Sequence, residues 1–211
     1  MSVSEYRRLQ RIYRWYAPAY DALFHRMFAS TRRRSIDALR LKPTDSVLIV
    51  AAGTGLDLPL LPPGGRVVAL DMNHAMLARA MKKQRPIRTD FILGDAQRMP
   101  FREGVFDAGT LHLILAVAPD GAAVLAETTR VVRSGGSLAV LDKFAEGDPS
   151  RVRRIGNVVA RALGTNITRD FAAMFAGLPL TVERSEPAMR GFYRITTLRR
   201  DARVSRDQGD P

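Results

Sequence analysis

The chain has 211 residues, of which 46% are hydrophobic, and it contains no cysteine. A chain of this length and apolar content is expected to fold as one globular unit around its own core. The missing cysteines exclude disulfide bonds, thiolate metal sites and a cysteine nucleophile, and they fit a cytoplasmic protein. The three histidines show no metal-ligand spacing, so we expect no metal. No apolar run is long enough to span a bilayer, and the charged N-terminus does not resemble a secretory signal.

The formal net charge of +12 is unevenly distributed along the chain. Residues 1–43 contain ten Lys or Arg against three Asp or Glu, and residues 148–170 contain five Arg against two Asp. A charge excess gathered in two segments indicates an anionic surface as a partner, either a membrane or a nucleic acid. The alternative is that the basic residues only keep the protein soluble.

Two helices are predicted ahead of the main α/β region. The first covers residues 4–17 and is amphipathic, and the second covers Tyr20–Leu39. Helical spacing in the first helix places four apolar residues on one side, namely Leu9, Ile12, Tyr13 and Tyr16. Three arginines lie on the opposite side, namely Arg7, Arg11 and Arg14. Arg8 and Trp15 lie on a flank between the two sides. Its basic face is a candidate membrane-facing surface, which Arg32-Arg33-Arg34 and residues 151–161 could extend.

From residue 44 onward, strand and helix patterns alternate. This alternation predicts an α/β fold with a Rossmann-like, mostly parallel seven-stranded sheet, helices on both faces and an antiparallel last strand. We expect residues 1–43 to form N-terminal helices, 44–199 the main domain and 200–211 a flexible tail. The predicted strands are Ser46–Ala51, Arg66–Leu70, Thr89–Leu93, Val105–Thr110, Ser137–Leu141, Thr181–Glu186 and Phe192–Leu198. The predicted helices are Leu56–Leu61, His74–Lys83, Gly121–Val132, Asp148–Leu163 and Thr168–Ala176.

A glycine-rich turn follows the first predicted strand, and an acid ends the second. The turn is Ala51-Ala52-Gly53-Thr54-Gly55, and the acid is Asp71. Glycines remove side chains where a backbone must approach a ligand closely. An acid at the tip of the second strand can hold a ribose diol in doubly wound nucleotide folds. The pair therefore indicates an adenosine-containing ligand, although a tight β–α turn without a ligand would produce the same glycines.

Four motifs in this order resemble those of the class I S-adenosylmethionine-dependent methyltransferases. They are the glycine-rich turn, Asp71, the Gly94-Asp95-Ala96 step, and Phe106-Asp107 followed by Arg130-Val131-Val132-Arg133-Ser134-Gly135-Gly136. The resemblance implies S-adenosylmethionine as the cofactor. It also implies a cofactor site formed by Tyr16, Ala51, Gly53, Thr54, Gly55, Asp71, Met72, Asp95, Ala96 and Leu111.

The turn departs from the family pattern at two positions. Ile49 stands where the family has an acid, and Ala51 stands where it has its first glycine. The missing acid leaves the amino group of the cofactor without its usual partner. Asp57, just past the turn, is a candidate replacement.

Within the family, the stretch Tyr13–Asp21 resembles two groups, the bacterial phosphatidylethanolamine N-methyltransferases and the ubiquinone/menaquinone C-methyltransferases. The short chain, Gly53–Leu61 and Leu138–Phe144 are more similar to the phospholipid group. The resemblance implies N-methylation of a phospholipid headgroup amine at the inner face of the membrane by a peripheral cytoplasmic enzyme. Methylation of a quinone ring, an RNA or a small molecule are the alternatives, although no RNA-binding module is recognisable.

Three side chains are candidates for a catalytic role. His112 is the titratable residue at the end of the fourth predicted strand and could accept a proton. Tyr16 and Tyr20 could close over the cofactor and orient the headgroup. Each has a structural alternative: His112 could simply face a loop, and the two tyrosines could pack the N-terminal helix onto the domain.

Overall fold

The computed structural model describes residues 27–83, 88–143 and 171–202. Its centre is a seven-stranded sheet in the spatial order β3-β2-β1-β4-β5-β7-β6. Strand β7 runs antiparallel to both of its neighbours, and the pairs among β1 to β5 are parallel. The predicted fold class is thereby confirmed. The strands are β1 Ser46–Val50, β2 Arg66–Asp71, β3 Thr89–Leu93, β4 Phe106–His112, β5 Val132–Asp142, β6 Leu180–Ala188 and β7 Tyr193–Arg200.

The described helices are short, and two of them begin at capping side chains. They are α1 (27–37), α2 His74–Ala80, α3 Gly121–Val131 and α4 Phe171–Phe175. Asn73 accepts the N–H groups of Ala75 and Met76 at the start of α2. Asp120 accepts the N–H of Ala123 at the start of α3. Each cap satisfies backbone donors that the first helical turn leaves without a partner.

Strand β1 shows how the sheet separates two apolar layers. Val47 and Ile49 pack in one cluster with Ile36 of α1. Leu48 and Val50 pack in another cluster, on the side of α3. Because successive side chains point to opposite faces of a strand, an apolar run without alternation requires helices on both faces. The sheet is covered in this way, as predicted.

The segment after the glycine turn differs from the predicted helix Leu56–Leu61. Only a 3-10 turn, Leu58–Leu60, forms there, and Asp57 provides no side-chain cap. The carboxylate of Asp57 is instead bonded to side chains from other elements. Pro62 follows Leu61 directly, and the residue before a proline avoids helical geometry.

Several strand boundaries also differ from the prediction, and three of them affect the site or the domain boundary. Strand β4 continues two residues past Thr110, to His112. Strand β5 begins at Val132, and its pairing with β4 shifts register across the Gly135-Gly136 region, so that the predicted turn is an irregularity within one strand. Strand β7 includes Arg200, whose buried guanidinium donates to the carbonyl of Val132. The last strand therefore extends one residue beyond the predicted domain boundary.

Several predictions lie outside the described residues. They are the helices over 4–17 and 148–163, the second helix before residue 27, and the roles of Arg7, Arg8, Arg11, Arg14, Trp15, Tyr16 and Tyr20. Across the three described ranges, none of the helices has both the length and the apolar character that crossing a membrane requires.

Candidate functional site

A cavity lies at the carboxyl ends of the parallel strands β1 to β4. Its wall combines the turn after β1, the end of β2, the Gly94–Gln97 segment after β3 and the segment that follows β4. Open parallel sheets bind ligands at this edge, in the crevice beyond their strand ends. The strand order therefore brings four separate sequence segments to one site.

Asp71 is held at one end of this cavity by backbone donors. Its Oδ2 atom accepts the N–H of Gly53 at 2.7 Å, and its Oδ1 atom accepts the N–H of Asn73 at 2.8 Å. Burial raises the pKa of Asp71, while the N–H groups of Asn73, Gly53 and Met72 oppose that rise. Because a carboxylate has about four acceptor positions and three N–H groups bond to this one, Asp71 keeps capacity for about one ligand hydroxyl group.

The two glycines of the turn have different surroundings. A Cβ built on Gly53 would have only the carbonyl of Ala51 nearby, at 4.0 Å, and Gly53 lines the cavity. A Cβ on Gly55 would lie 2.8 Å from Leu58 and 2.9 Å from Ala80. Gly53 therefore leaves room at the cavity wall, whereas Gly55 allows α2 and the 3-10 turn to pack closely.

Most of the predicted cofactor residues within the described ranges do line the cavity: Ala51, Gly53, Thr54, Asp71, Met72, Asp95 and Ala96. Two predicted residues do not. Gly55 faces the packing described above. Leu111 is fully buried in the core between Val50 and Val140, because β4 continues past it and its side chain points into the sheet layer. Gly55 and Leu111 therefore lie outside the cavity wall where the prediction placed them.

His112 lies in the cavity wall with both ring nitrogens bonded to protein groups. Nδ1 lies 3.0 Å from a carboxylate oxygen of Asp57, and Nε2 lies 2.9 Å from the hydroxyl of Ser35. An ionised carboxylate can only accept, so Nδ1 donates. In the neutral ring Nε2 then accepts from Ser35, and in the charged ring it donates to the same hydroxyl. Its predicted role in proton transfer remains a prediction.

Arg32 completes this arrangement, which we call the floor network: Arg32, Ser35, Asp57 and His112. Its Nη1 donates to Asp57 at 2.7 Å, and its side chain is only 9% exposed. Burial acts to raise the pKa of Asp57, but the charges of Arg32 and His112 and the hydrogen bonds from both outweigh it and hold that pKa below its usual range. Arg32 is thus part of the cavity wall and does not extend a basic surface as predicted.

Several lining residues were missed by sequence reasoning: Arg32, Asn73, Met76, Gln97, Leu113, Ile114, Val117, Ala118, Pro119 and Val124. Asn73 could have been found, since it caps α2 two residues after Asp71. Leu113 could not, because it faces the cavity through a positive φ of 62° that a leucine rarely adopts.

Comparison with known proteins agrees with this geometry. Residues 48–140 match the family model described as a methyltransferase domain. A phosphatidylethanolamine N-methyltransferase of Cereibacter sphaeroides is 31% identical over 146 residues, which cover 67% of this chain and 71% of that protein. The chain belongs to the class I S-adenosylmethionine-dependent methyltransferases.

Other members of the family match shorter segments. A demethylmenaquinone methyltransferase of Mycolicibacterium vanbaalenii is 41% identical over 112 residues, so the match covers 53% of this chain and 47% of that relative. The chain thus spans about half the length of several curated relatives that it matches. Among solved structures, a geranyl diphosphate methyltransferase bound to S-adenosylmethionine aligns over 83% of this chain and 86% of its own, with a TM-score of 0.68 and 16% identity. The cyclase SpnF aligns over 82% of this chain and 81% of its own at a TM-score of 0.68 and 15% identity, so the fold alone does not define a reaction.

The described residues fit the cofactor of this family. Gly53 leaves its side of the wall open, and Asp71 has an acceptor position left for a ribose hydroxyl. Met72 and Ala96 provide apolar surface in the same cavity. The guanidinium of Arg32 has a buried Nε–H without an acceptor among the described residues.

Proposed function

We propose that this protein is an S-adenosylmethionine-dependent methyltransferase that N-methylates the headgroup amine of a phospholipid such as phosphatidylethanolamine. When bound, the cofactor supplies an electrophilic methyl group on a sulfonium sulfur. The protein provides position and a water-poor cavity, and alignment of this kind can account for roughly 7–11 kcal/mol of a reaction barrier.

The observation that favours an amine acceptor is the bonding of His112. Both of its nitrogens are engaged, one with Asp57 and one with the fully buried hydroxyl of Ser35. A ring carbon becomes nucleophilic only after a base has removed a proton from the ring hydroxyl. An amine can instead lose its proton to water before it enters the cavity. A wall whose imidazole has no vacant nitrogen suits the amine better.

The comparison with relatives is compatible with both acceptors. The phosphatidylethanolamine N-methyltransferase matches over about two thirds of this chain and of its own length. A demethylmenaquinone methyltransferase of Mycobacterium marinum matches almost as much, 64% of this chain and 60% of its own, at a higher identity of 39%.

Four residues of the cavity and its floor network have distinct roles in the proposed reaction. Asp71 accepts hydrogen bonds from the ribose, and Gly53 leaves space for the chain that carries the sulfur. Asp57 fixes the tautomer and the orientation of His112, so that His112 acts as a positioned wall of the acceptor site. Outside the described residues, Tyr16 and Tyr20 would orient the headgroup.

A quinone ring is the second candidate acceptor. It is favoured by the 41% identity to a demethylmenaquinone methyltransferase and by the Asp57–His112 pair, whose carboxylate would stabilise an imidazolium. In that reaction the proton would reach Nε2 of His112 after the hydrogen bond from Ser35 is displaced.

A labelling experiment separates the two acceptors. The protein is incubated with methyl-labelled S-adenosylmethionine and vesicles containing phosphatidylethanolamine, phosphatidylglycerol and demethylmenaquinone. We expect label in monomethylated phosphatidylethanolamine. Label confined to the quinone would reject the amine, and a preparation of Asp71→Ala provides the control for cofactor-dependent transfer.

The pH profile of kcat/KM provides a second test. An amine that deprotonates in water should give a rate that rises toward the pKa of an alkylamine, about 10. Transfer that depends on a side-chain base should instead level off once that base has lost its proton, well below the pKa of an alkylamine. A plateau that begins at neutral pH would therefore favour the quinone reaction and contradict the amine.

Membrane association is part of the proposal, because both acceptors are lipids. Basic residues near an anionic surface each contribute about 1 kcal/mol of attraction. We expect cosedimentation with phosphatidylglycerol vesicles at low salt, and weaker cosedimentation after Arg7, Arg11 and Arg14 are changed to Glu. Affinity for S-adenosylhomocysteine should not change in this variant. Equal pelleting of the unmodified protein and this variant would contradict a membrane role for the predicted helix over residues 4–17.

A further inference from the structure

The glycine turn presents no carboxylate to the cavity at the position where the family has one. Ile49 stands there, and its side chain is 1% exposed in the cluster with Ile36 and Leu58. Asp57 does not replace it, because its oxygens are bonded to Arg32 and His112 and it does not line the cavity. The end of the cavity beyond the turn therefore lacks the group that would meet a cofactor ammonium.

This end of the cavity presents a cation instead. Arg32 lines the cavity beside the turn residues and is bonded to Asp57 through Nη1. Its Nε–H is buried and has no acceptor within the described part of the chain. A guanidinium carries five N–H donors in a fixed plane, and an unsatisfied buried donor is unfavourable.

The turn connects Arg32 to the ribose end of the cavity. Gly53 donates to Asp71, and four residues later Asp57 binds Arg32. Arg32, Gly53, Thr54 and Asp71 all line the same cavity, so a cofactor with its ribose on Asp71 and its amino-acid chain along Gly53 and Thr54 could reach the guanidinium. The anionic group at the end of that chain is the α-carboxylate.

We propose that Arg32 binds the α-carboxylate of the cofactor, and that Asp57 acts as a positioning residue that keeps the guanidinium at the cavity wall. The methionine end of the ligand is then held by a cation on its carboxylate. This inference rests on the proposed use of S-adenosylmethionine and does not depend on the acceptor. An acceptor phosphate shares the chemistry of a carboxylate, so the test must distinguish these two anions.

The test is calorimetric and compares two ligands that differ only in the carboxylate. They are S-adenosylhomocysteine and its decarboxylated form, which keeps the amine. Arg32→Lys retains a charge opposite Asp57 but loses the planar donors. The double variant Arg32→Met with Asp57→Asn removes both charges, so that neither is left buried alone. Arg34→Met is the matched control, since Arg34 lies on the same helix, is 52% exposed and pairs with Glu186.

We expect the double variant to lose about tenfold or more in affinity for S-adenosylhomocysteine, the size of a charged hydrogen bond, with smaller loss in Arg32→Lys. The affinity of the double variant for the decarboxylated ligand should stay within about twofold of that of the unmodified protein. The affinities of Arg34→Met for both ligands should also stay within about twofold. Equal losses for the two ligands, or none for either, would overturn the role of Arg32. If the Arg32 variants bind both ligands as tightly as the unmodified protein but have a raised KM for the lipid, the anion that Arg32 binds is the acceptor phosphate and the proposal is wrong. Absence of binding of either ligand to the unmodified protein would reject the proposed cofactor use itself.

Discussion

The two ends of the cavity are built by different means. At one end, Asp71 is held by N–H groups of Gly53 and Asn73, at most 18 residues away in sequence. At the other end, the floor network joins side chains of α1, the turn and β4, separated by 25 to 77 residues. Backbone donors persist whatever side chains surround them, whereas a side-chain network depends on every member. The Arg32 end is therefore the more sensitive to substitution.

The largest expected effect is on stability, from Asp57→Asn. This change leaves the buried guanidinium of Arg32 without a counter-charge, and breaking a buried pair in this way costs about 3–5 kcal/mol. Urea denaturation should show a loss of that size. Adding Arg32→Met should recover more than half of it, because no charge then remains buried, and strictly additive losses would contradict the coupling.

The next effect concerns cofactor affinity at the other end of the cavity. Asp71→Ala removes the ribose acceptor and leaves the N–H groups of Gly53 and Asn73 without their partner. A charged hydrogen bond of about 1.5–3 kcal/mol corresponds to about 10- to 150-fold weaker binding of S-adenosylhomocysteine by calorimetry. Unchanged affinity would mean that the ribose does not lie on Asp71.

The two turn glycines should respond differently to alanine. Gly55→Ala places a Cβ within 3 Å of Leu58 and Ala80 at a φ of +78°, so we expect about 1–3 kcal/mol of destabilisation. Gly53→Ala also places a side chain at a positive φ, of +55°, but its Cβ meets no close atom, so it should destabilise less than Gly55→Ala while it weakens cofactor binding. Thermal unfolding with and without S-adenosylhomocysteine separates the two effects, and matching behaviour of both variants would contradict the distinction.

The smallest expected effect is a pH dependence at Asp142, the last residue of β5. Burial raises the pKa of Asp142 from 3.8 to about 6, against the N–H groups of Lys143 and Ala116. The folded state therefore holds this proton more tightly than the unfolded chain does. Its contribution to the free energy of unfolding should increase by about 1 kcal/mol as pH falls from 7 to 5. Asp142→Asn should remove that increment from urea denaturation curves, and identical pH dependence in both proteins would contradict it.

Local features of this molecule could be predicted from the sequence, and long-range side-chain contacts could not. Asp71, Gly53 and the strand order follow from apolar runs, turn residues and a carboxylate at a strand end, all within short segments. The family resemblance implied Leu111 as a cofactor residue, and β4 was predicted to end at Thr110, whereas it continues to His112. Because the strand is two residues longer, Leu111 lies in the sheet core. Leu113, whose backbone has a positive φ, lines the cavity instead.

Arg32 illustrates why the rest could not be predicted. In sequence it is the first of three arginines, and such a run normally lies on a solvated surface. Arg33 and Arg34 lie on the exposed side of α1, and Arg32 lies on its buried side. Which side of the helix becomes buried is decided only when α1 packs on the sheet. Its partner Asp57 is 25 residues away. No local pattern connects the two residues.

The position of α1 also determines where the domain can be divided. Arg32 and Ser35 lie three residues apart on α1 and both belong to the floor network. A fragment that begins at residue 44, the boundary predicted from the strand–helix alternation, would keep every strand and yet lose half of that network. Asp57 and His112 would then keep only the hydrogen bond to each other, and they would lose their partners Arg32 and Ser35. A fragment that keeps the whole floor network must therefore begin before Arg32.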